Sequence, residues 1–184
     1  MNDANSFRIL YDGIFIIKRF MIDANFFFFK LRDEIDWDTS INSRKTASFG
    51  TPYNYSNISY EVSSFPDYIS EIAKKIETVV GYRPNNCLIN YYYENNSKMG
   101  FHSDQIDILE SDTGIIVISL GSSRIIRFKN KNGHNSFDII MDAGSLLYMT
   151  QDTQRKWLHS ILPSNDNNTE RISITFRKLK TFTK

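Results

Sequence analysis

Cysteine is nearly absent from this 184-residue chain, and histidine is scarce: there is one Cys and there are three His. The lone Cys87 excludes an intrachain disulfide and a cysteine-rich zinc site, and it fits an intracellular, reducing compartment such as cytoplasm or nucleus. An excess of one charge sign is also missing. Against 22 Lys and Arg stand 21 Asp and Glu, a net charge of +1, so binding to nucleic acid needs a local basic face rather than a global polycation. The last thirty residues do lean basic, through Arg155, Lys156, Arg171, Arg177, Lys178, Lys180 and Lys184. Long hydrophobic runs are lacking too. Asn25 to Phe29 is far too short to span a bilayer and has charges close by, and no signal peptide is visible, so no membrane association is expected. Repeats and long Gly/Ser/Pro linkers are missing, which points to a single domain over 1–184, expected as a monomer.

What is present is a change of apolar period near Gly81. Before it, Asp23 is placed to cap a helix running from about Ala24 to Ile35, with the phenylalanine run facing the core. Ile69, Ile72, Ala73, Ile76 and Val79–Val80 give helical spacing over 66–80, opened by Pro66 and Asp67 and closed by Gly81. Residues 7–20 read as a short strand or two, and 43–63 as loops or short strands. After Gly81, short alternating runs separated by Gly and Asn turns span 86–93, 114–120, 123–129, 136–141, 144–150, 157–162 and 170–179. Ser164 to Thr169 reads as a loop. The expected class is mostly β with flanking helices (α+β): a helical N-terminal part over about 1–80 leading into a β-sandwich or barrel over about 81–184.

Two patterns bear on chemistry. In the extended-looking stretch MGFHSDQID, His102 and Asp104 are two apart, and residues i and i+2 of a strand share a face. With His159, from a later strand, they make a 2-His-1-carboxylate set that suits non-haem Fe(II). The plainer alternative is a core histidine and a capping aspartate; His134 lies in an expected exposed turn. The second pattern is Arg171 to Arg177, where Arg171, Ser173, Thr175 and Arg177 share one face and Ile172, Ile174 and Phe176 the other. Turned inward, two arginines want an anion with two carboxylates, because guanidinium forks match carboxylates in pairs. Turned outward, they are an ordinary edge strand. Asn90 and Tyr92 share a face in the same way, either as further hydrogen-bonding groups for that anion or as ordinary strand residues.

Taken together and in order, these pieces resemble the AlkB-like iron(II)- and 2-oxoglutarate-dependent dioxygenases, from about residue 44 onward. The resembling elements are Asn90-x-Tyr92, His102-x-Asp104, Ser119-Leu120-Gly121, Gly144 to Met149, Trp157-x-His159-Ser160 and Arg171-x3-Thr175-Phe176-Arg177. Ser43 to Gly50 followed by Tyr53 to Ser56 looks like the nucleotide-recognition part of the nucleic-acid-repair branch. The resemblance implies a double-stranded β-helix (jelly roll) with an N-terminal nucleotide-recognition lid. It implies Fe(II) on His102, Asp104 and His159, with 2-oxoglutarate and O2 as co-substrates. Arg171 with Tyr92 takes the distal carboxylate, Arg177 and Asn90 lie near the iron-chelating end, and Ser173 and Thr175 line the same site. The implied reaction couples decarboxylation to succinate with hydroxylation of an N-methyl carbon, after which formaldehyde leaves the repaired base.

The implied partner is alkylated DNA or RNA. The damaged base is flipped out or taken from a single strand, with Tyr55 and the His102 ring sandwiching it, Tyr53 beside them, and Arg44 and Lys45 on phosphates. The sequence departs from the repair pattern at Ile106, where an acidic residue is usual; Asp107, next to it, is the substitute candidate. Ser173 stands where some relatives carry Asn. The competing expectations are a related dioxygenase acting on protein or a small molecule, a non-catalytic barrel, and a zinc hydrolase, for which nothing supplies a general base.

Overall fold

Two apolar periods build the fold. At the helical spacing, Ile69, Ile72, Ala73 and Ile76 make the buried side of α2 (Asp67–Val80). Gly81 ends α2 at a φ of 81°, and its N–H donates to the Glu77 carbonyl at 3.0 Å. Helix α1 (Ala24–Glu34) buries Ala24, Phe27, Phe28 and Leu31. Phe26 and Phe29 instead point to solvent, since four consecutive residues cover every side of a helix. Asp23 stands at the expected N-cap, yet its side chain makes no capping hydrogen bond.

At the period of two, strands form two sheets. The computed structural model describes residues 7–52, 63–164 and 170–181; Tyr53, Tyr55 and residues 165–169 of the polar stretch lie outside them. The strands are β1 (Arg8–Tyr11), β2 (Ile14–Ile17), β3 (Lys45–Gly50), β4 (Asn86–Tyr92), β5 (Met99–His102) and β6 (Ile115–Gly121). They continue with β7 (Arg124–Asn130), β8 (Ser136–Met141), β9 (Leu146–Met149), β10 (Trp157–Ile161) and β11 (Arg171–Arg177). A seven-stranded sheet has the order β1-β2-β9-β6-β11-β4-β3, and a four-stranded sheet the order β5-β10-β7-β8.

The strands expected in the N-terminal part are present: β1, β2 and β3 join the seven-stranded sheet. Residues 45–50 form one of the short strands expected in that stretch, antiparallel to β4. A short helix, α3 (Gln151–Lys156), joins β9 to β10; Thr150 caps it by accepting from the Thr153 N–H. Among the described residues no helix is long and apolar enough to cross a membrane.

Strand β11 separates two cores. Ile172, Ile174 and Phe176 meet α1 and α2 in one core, together with Ile89, Ile116 and Ile118. The second core lies between the sheets, with Val117, Leu147 and Tyr92 from one and Ile126, Phe128 and Ile161 from the other. All seven residues of β11 are buried, so its polar face is enclosed between the sheets rather than bathed in water.

Candidate active site

The site grows out of the pairing between β5 and β10. Their register sets His102 opposite His159, which brings the two rings to 4.2 Å between centroids. Opposed residues on adjacent strands have their Cβ atoms about 4.5–5.5 Å apart, so the ladder itself delivers two imidazoles to one point. Asp104 comes from just beyond β5, in irregular chain, not from the same strand face as His102. One ligand atom from each of His102, Asp104 and His159 lies within 4.8 Å of the others. The Nδ1 of His102 donates to the Gly100 carbonyl at 2.9 Å, a bond that fixes the orientation of the ring. The Nε2 of His159 is 3.6 Å from Asp104 Oδ2, while the other oxygen, Oδ1, accepts from Arg177 Nη2.

Electrostatics keeps this set ready for a cation. Burial alone pushes the Asp104 carboxyl up, but Arg177 and the two histidines reverse that and hold it at about 2. Burial, reinforced by neighbouring His102, lowers His159 to about 3, so it is a neutral imidazole at ordinary pH. Two imidazoles and one carboxylate grouped on one side leave coordination positions open, the donor set that suits non-haem Fe(II).

A cavity extends from these ligands along β11. Asn90, Tyr92, Arg171, Ser173, Thr175 and Arg177 all line it. Arg171 is fully buried; its Nε donates to Ser119 Oγ at 2.9 Å and its guanidinium lies 5.3 Å from the Tyr92 ring centre. Its Nη1 and Nη2 are buried with no hydrogen-bond partner among the described residues. Burial lowers this guanidinium to about 10, which still leaves it charged at neutral pH. A buried cation with two idle donors is costly unless an anion completes it, and a carboxylate matches that fork. The cavity therefore fits a metal at one end and an organic acid reaching Arg171.

Other expected site residues lie elsewhere. Arg44 is buried, donating through Nε to Asn90 Oδ1 at 2.8 Å, so its guanidinium braces a cavity-lining side chain. Lys45 falls on the opposite parity from Thr46 and Asn90, on the sheet face that carries the helices. There its ammonium lies 5.2 Å from the Tyr93 ring centre. Asp107 is exposed in a turn, bonded to Gln105 Nε2 at 3.2 Å, and does not line the cavity. Tyr53 and Tyr55 are outside the described residues. The sequence reading missed Leu88, although it shares the strand face of Asn90 and Tyr92 that was recognised. It also missed Gln154, on a six-residue helix too short to give a periodic signal.

Comparison with known proteins addresses the family. The family model described as the 2OG-Fe(II) oxygenase superfamily matches residues 31–177. The chain belongs to this superfamily.

Within it the chain is AlkB-like. It is 29% identical over 147 residues to protein R406 of Acanthamoeba polyphaga mimivirus, covering 77% of this chain and 76% of that one. It is 26% identical over 190 residues to the rat alpha-ketoglutarate-dependent dioxygenase alkB homolog 3, covering 91% of this chain and 62% of that one. To the bovine DNA oxidative demethylase ALKBH2 it is 26% identical over 152 residues, covering 77% of this chain and 55% of that one. The chain thus spans under two thirds of the length of these last two relatives. The solved structure of OsALKBH1 superposes with a TM-score of 0.71 at 16% identity over 94% of this chain and all of that one, a likeness of fold. The two sheets form the jelly roll of this superfamily. As an AlkB-like oxygenase the chain is an Fe(II)- and 2-oxoglutarate-dependent dioxygenase, with O2 as second co-substrate.

Proposed function

We propose that this dioxygenase removes N-alkyl groups, such as the methyl of 1-methyladenine or 3-methylcytosine, from DNA or RNA. The observation that supports the reading best is the cavity that joins the His102, Asp104 and His159 cluster to the idle buried donors of Arg171. In this reading His102 Nε2, Asp104 Oδ2 and His159 Nε2 hold Fe(II), and Arg171 takes the distal carboxylate of 2-oxoglutarate through Nη1 and Nη2. Tyr92 packs under that guanidinium, while Ser173 and Thr175 line the path between the two ends. Arg177 occupies Asp104 Oδ1, leaving Oδ2 alone for the metal. Bound iron with 2-oxoglutarate and O2 supplies oxidation of a C–H bond, coupled to release of succinate and CO2. The chain's residues orient the diacid and keep His159 neutral.

A hydroxylated N-methyl carbon falls apart to formaldehyde and the free base nitrogen. A base inside a duplex cannot reach a cavity enclosed between two sheets, so the substrate is a flipped or single-stranded nucleotide. The relative named as a DNA oxidative demethylase supports the nucleic-acid reading. The second reading, a protein or small-molecule substrate, draws on the positions of Arg44, Lys45 and Asp107, none of which lines the cavity.

Anaerobic addition of Fe(II) and 2-oxoglutarate is expected to give a weak visible charge-transfer band that His102→Ala abolishes. Incubation in air with oligonucleotides bearing 1-methyladenine or 3-methylcytosine, single- and double-stranded, DNA and RNA, is then expected to release formaldehyde. A band without formaldehyde from any oligonucleotide favours the second reading, and no band at all defeats both.

A further inference from the structure

Asp104 presents a mechanical problem. The ladder that positions His102 and His159 reaches His102 and stops, so the remaining member of the cluster sits in chain that no strand pairing holds among the described residues. Its backbone is held by a side chain instead: the Asp104 N–H donates to Gln154 Oε1 at 2.9 Å. Gln154 is itself buried, and its Nε2 turns to Met149 Sδ at 3.5 Å, which fixes which end of the amide faces Asp104. Lys131 closes the arrangement. Its ammonium donates to the main-chain carbonyl of Gln154 at 2.8 Å and to Ser103 Oγ at 2.9 Å, tying the residue before Asp104 to the same helix. That helix, α3, runs directly into β10 and so into His159.

From this connection we infer that Gln154 is a positioning residue for the metal site, fixing the Asp104 backbone against the strand that carries His159, with Lys131 as its outer clamp. The inference rests on the reading of His102, Asp104 and His159 as the metal ligands. Groups that orient ligands without touching the metal commonly change its affinity about 10- to 100-fold when removed. A buried acceptor lost from a buried N–H also frees the 103–104 segment to turn away in search of another partner. Lys131 gives a separate signature. By Coulomb's law alone, removing a cation near a bound dication tightens the dication, so weaker binding on its removal marks a role in position rather than charge.

The test is calorimetric titration of the apo protein with Mn(II), a redox-silent divalent probe, alongside thermal denaturation. Asp104→Ala is expected to abolish binding. Gln154→Met, which keeps shape and loses the acceptor, is expected to weaken Mn(II) by about tenfold. Gln154→Glu, which keeps an acceptor, is expected to recover most of the loss, and Lys131→Met to weaken binding a few-fold with melting unchanged. Wild-type affinity in Gln154→Met overturns the inference even if that variant melts earlier. Should Gln154→Met fail to fold, unchanged or tighter binding in the surface variant Lys131→Met overturns it instead. If the wild-type protein binds no Mn(II), or Asp104→Ala binds it as well as wild type, the ligand reading itself has failed, and this inference falls with it.

Discussion

His102 and His159 face each other across one antiparallel strand pair, in register, with their rings 4.2 Å apart. Geometry that in sequence is separated by more than fifty residues becomes a nearest-neighbour relation of the ladder, and it sets the two imidazoles before any metal arrives.

That arrangement makes the metal-free protein acid-sensitive in a definite window. His159 is held at about 3 in the folded chain and returns to its ordinary 6.5 when unfolded. Between those values the unfolded chain binds a proton that the folded chain refuses, so the stability is present above pH 6.5 and is lost as pH falls toward 3. Asp104, at about 2 against 3.8, adds a loss of the same sign only below about pH 4. Denaturant unfolding of the apo protein at pH 7 and pH 4.5 should show wild type losing about 2 kcal/mol more than His159→Gln over that span.

Arg171 carries an unfavourable burial that an acid ligand relieves. Arg171→Met removes two idle buried donors, so the apo variant should melt no lower than wild type. With Mn(II) present, 2-oxoglutarate should raise the wild-type melting temperature but leave Arg171→Met unmoved, while the affinity for Mn(II) alone stays within about twofold. A variant that is stabilised by 2-oxoglutarate as wild type is places the diacid elsewhere.

The two faces of β11 should respond to truncation in different currencies. Ile174 is fully buried against the helices, and Ile174→Ala should cost about 2–5 kcal/mol in equilibrium unfolding with little change in 2-oxoglutarate affinity. Ser173, one residue away on the cavity face, should do the reverse: Ser173→Ala should shift the 2-oxoglutarate titration and barely move the unfolding midpoint.

Nucleic-acid binding should not depend on Arg44 as a phosphate contact. Its Nε is committed to Asn90, so Arg44→Gln should leave the slope of log affinity against log salt unchanged, where loss of one phosphate contact lowers it by about 0.9 on duplex DNA. A drop of that size in titrations between 50 and 200 mM salt returns Arg44 to the interface.

Period-two alternation made β11 legible: with Ile172, Ile174 and Phe176 on one side, the arginines had only the cavity or water to face, and burial between two sheets decides for the cavity. The same period places Leu88 beside Asn90 and Tyr92, a consequence the sequence held and the reading passed over. Elsewhere the relevant information was not local. Lys45 and Arg44 are adjacent basic residues, alike on paper. Only the pairing of β3 with β4 sends one side chain among aromatic rings and the other onto Asn90. Likewise Asp104 reads as a strand neighbour of His102, but the strand ends between them and a glutamine fifty residues later takes over its backbone.

Among the described residues strand β5 ends its sheet, with β10 as its ladder neighbour there. An ion shared by His102 and His159 would add a second tie between that margin and the interior, beside the ladder already formed. Amide exchange along Met99–His102 is therefore expected to slow when metal binds, which makes it a gauge of how much of the enzyme is charged.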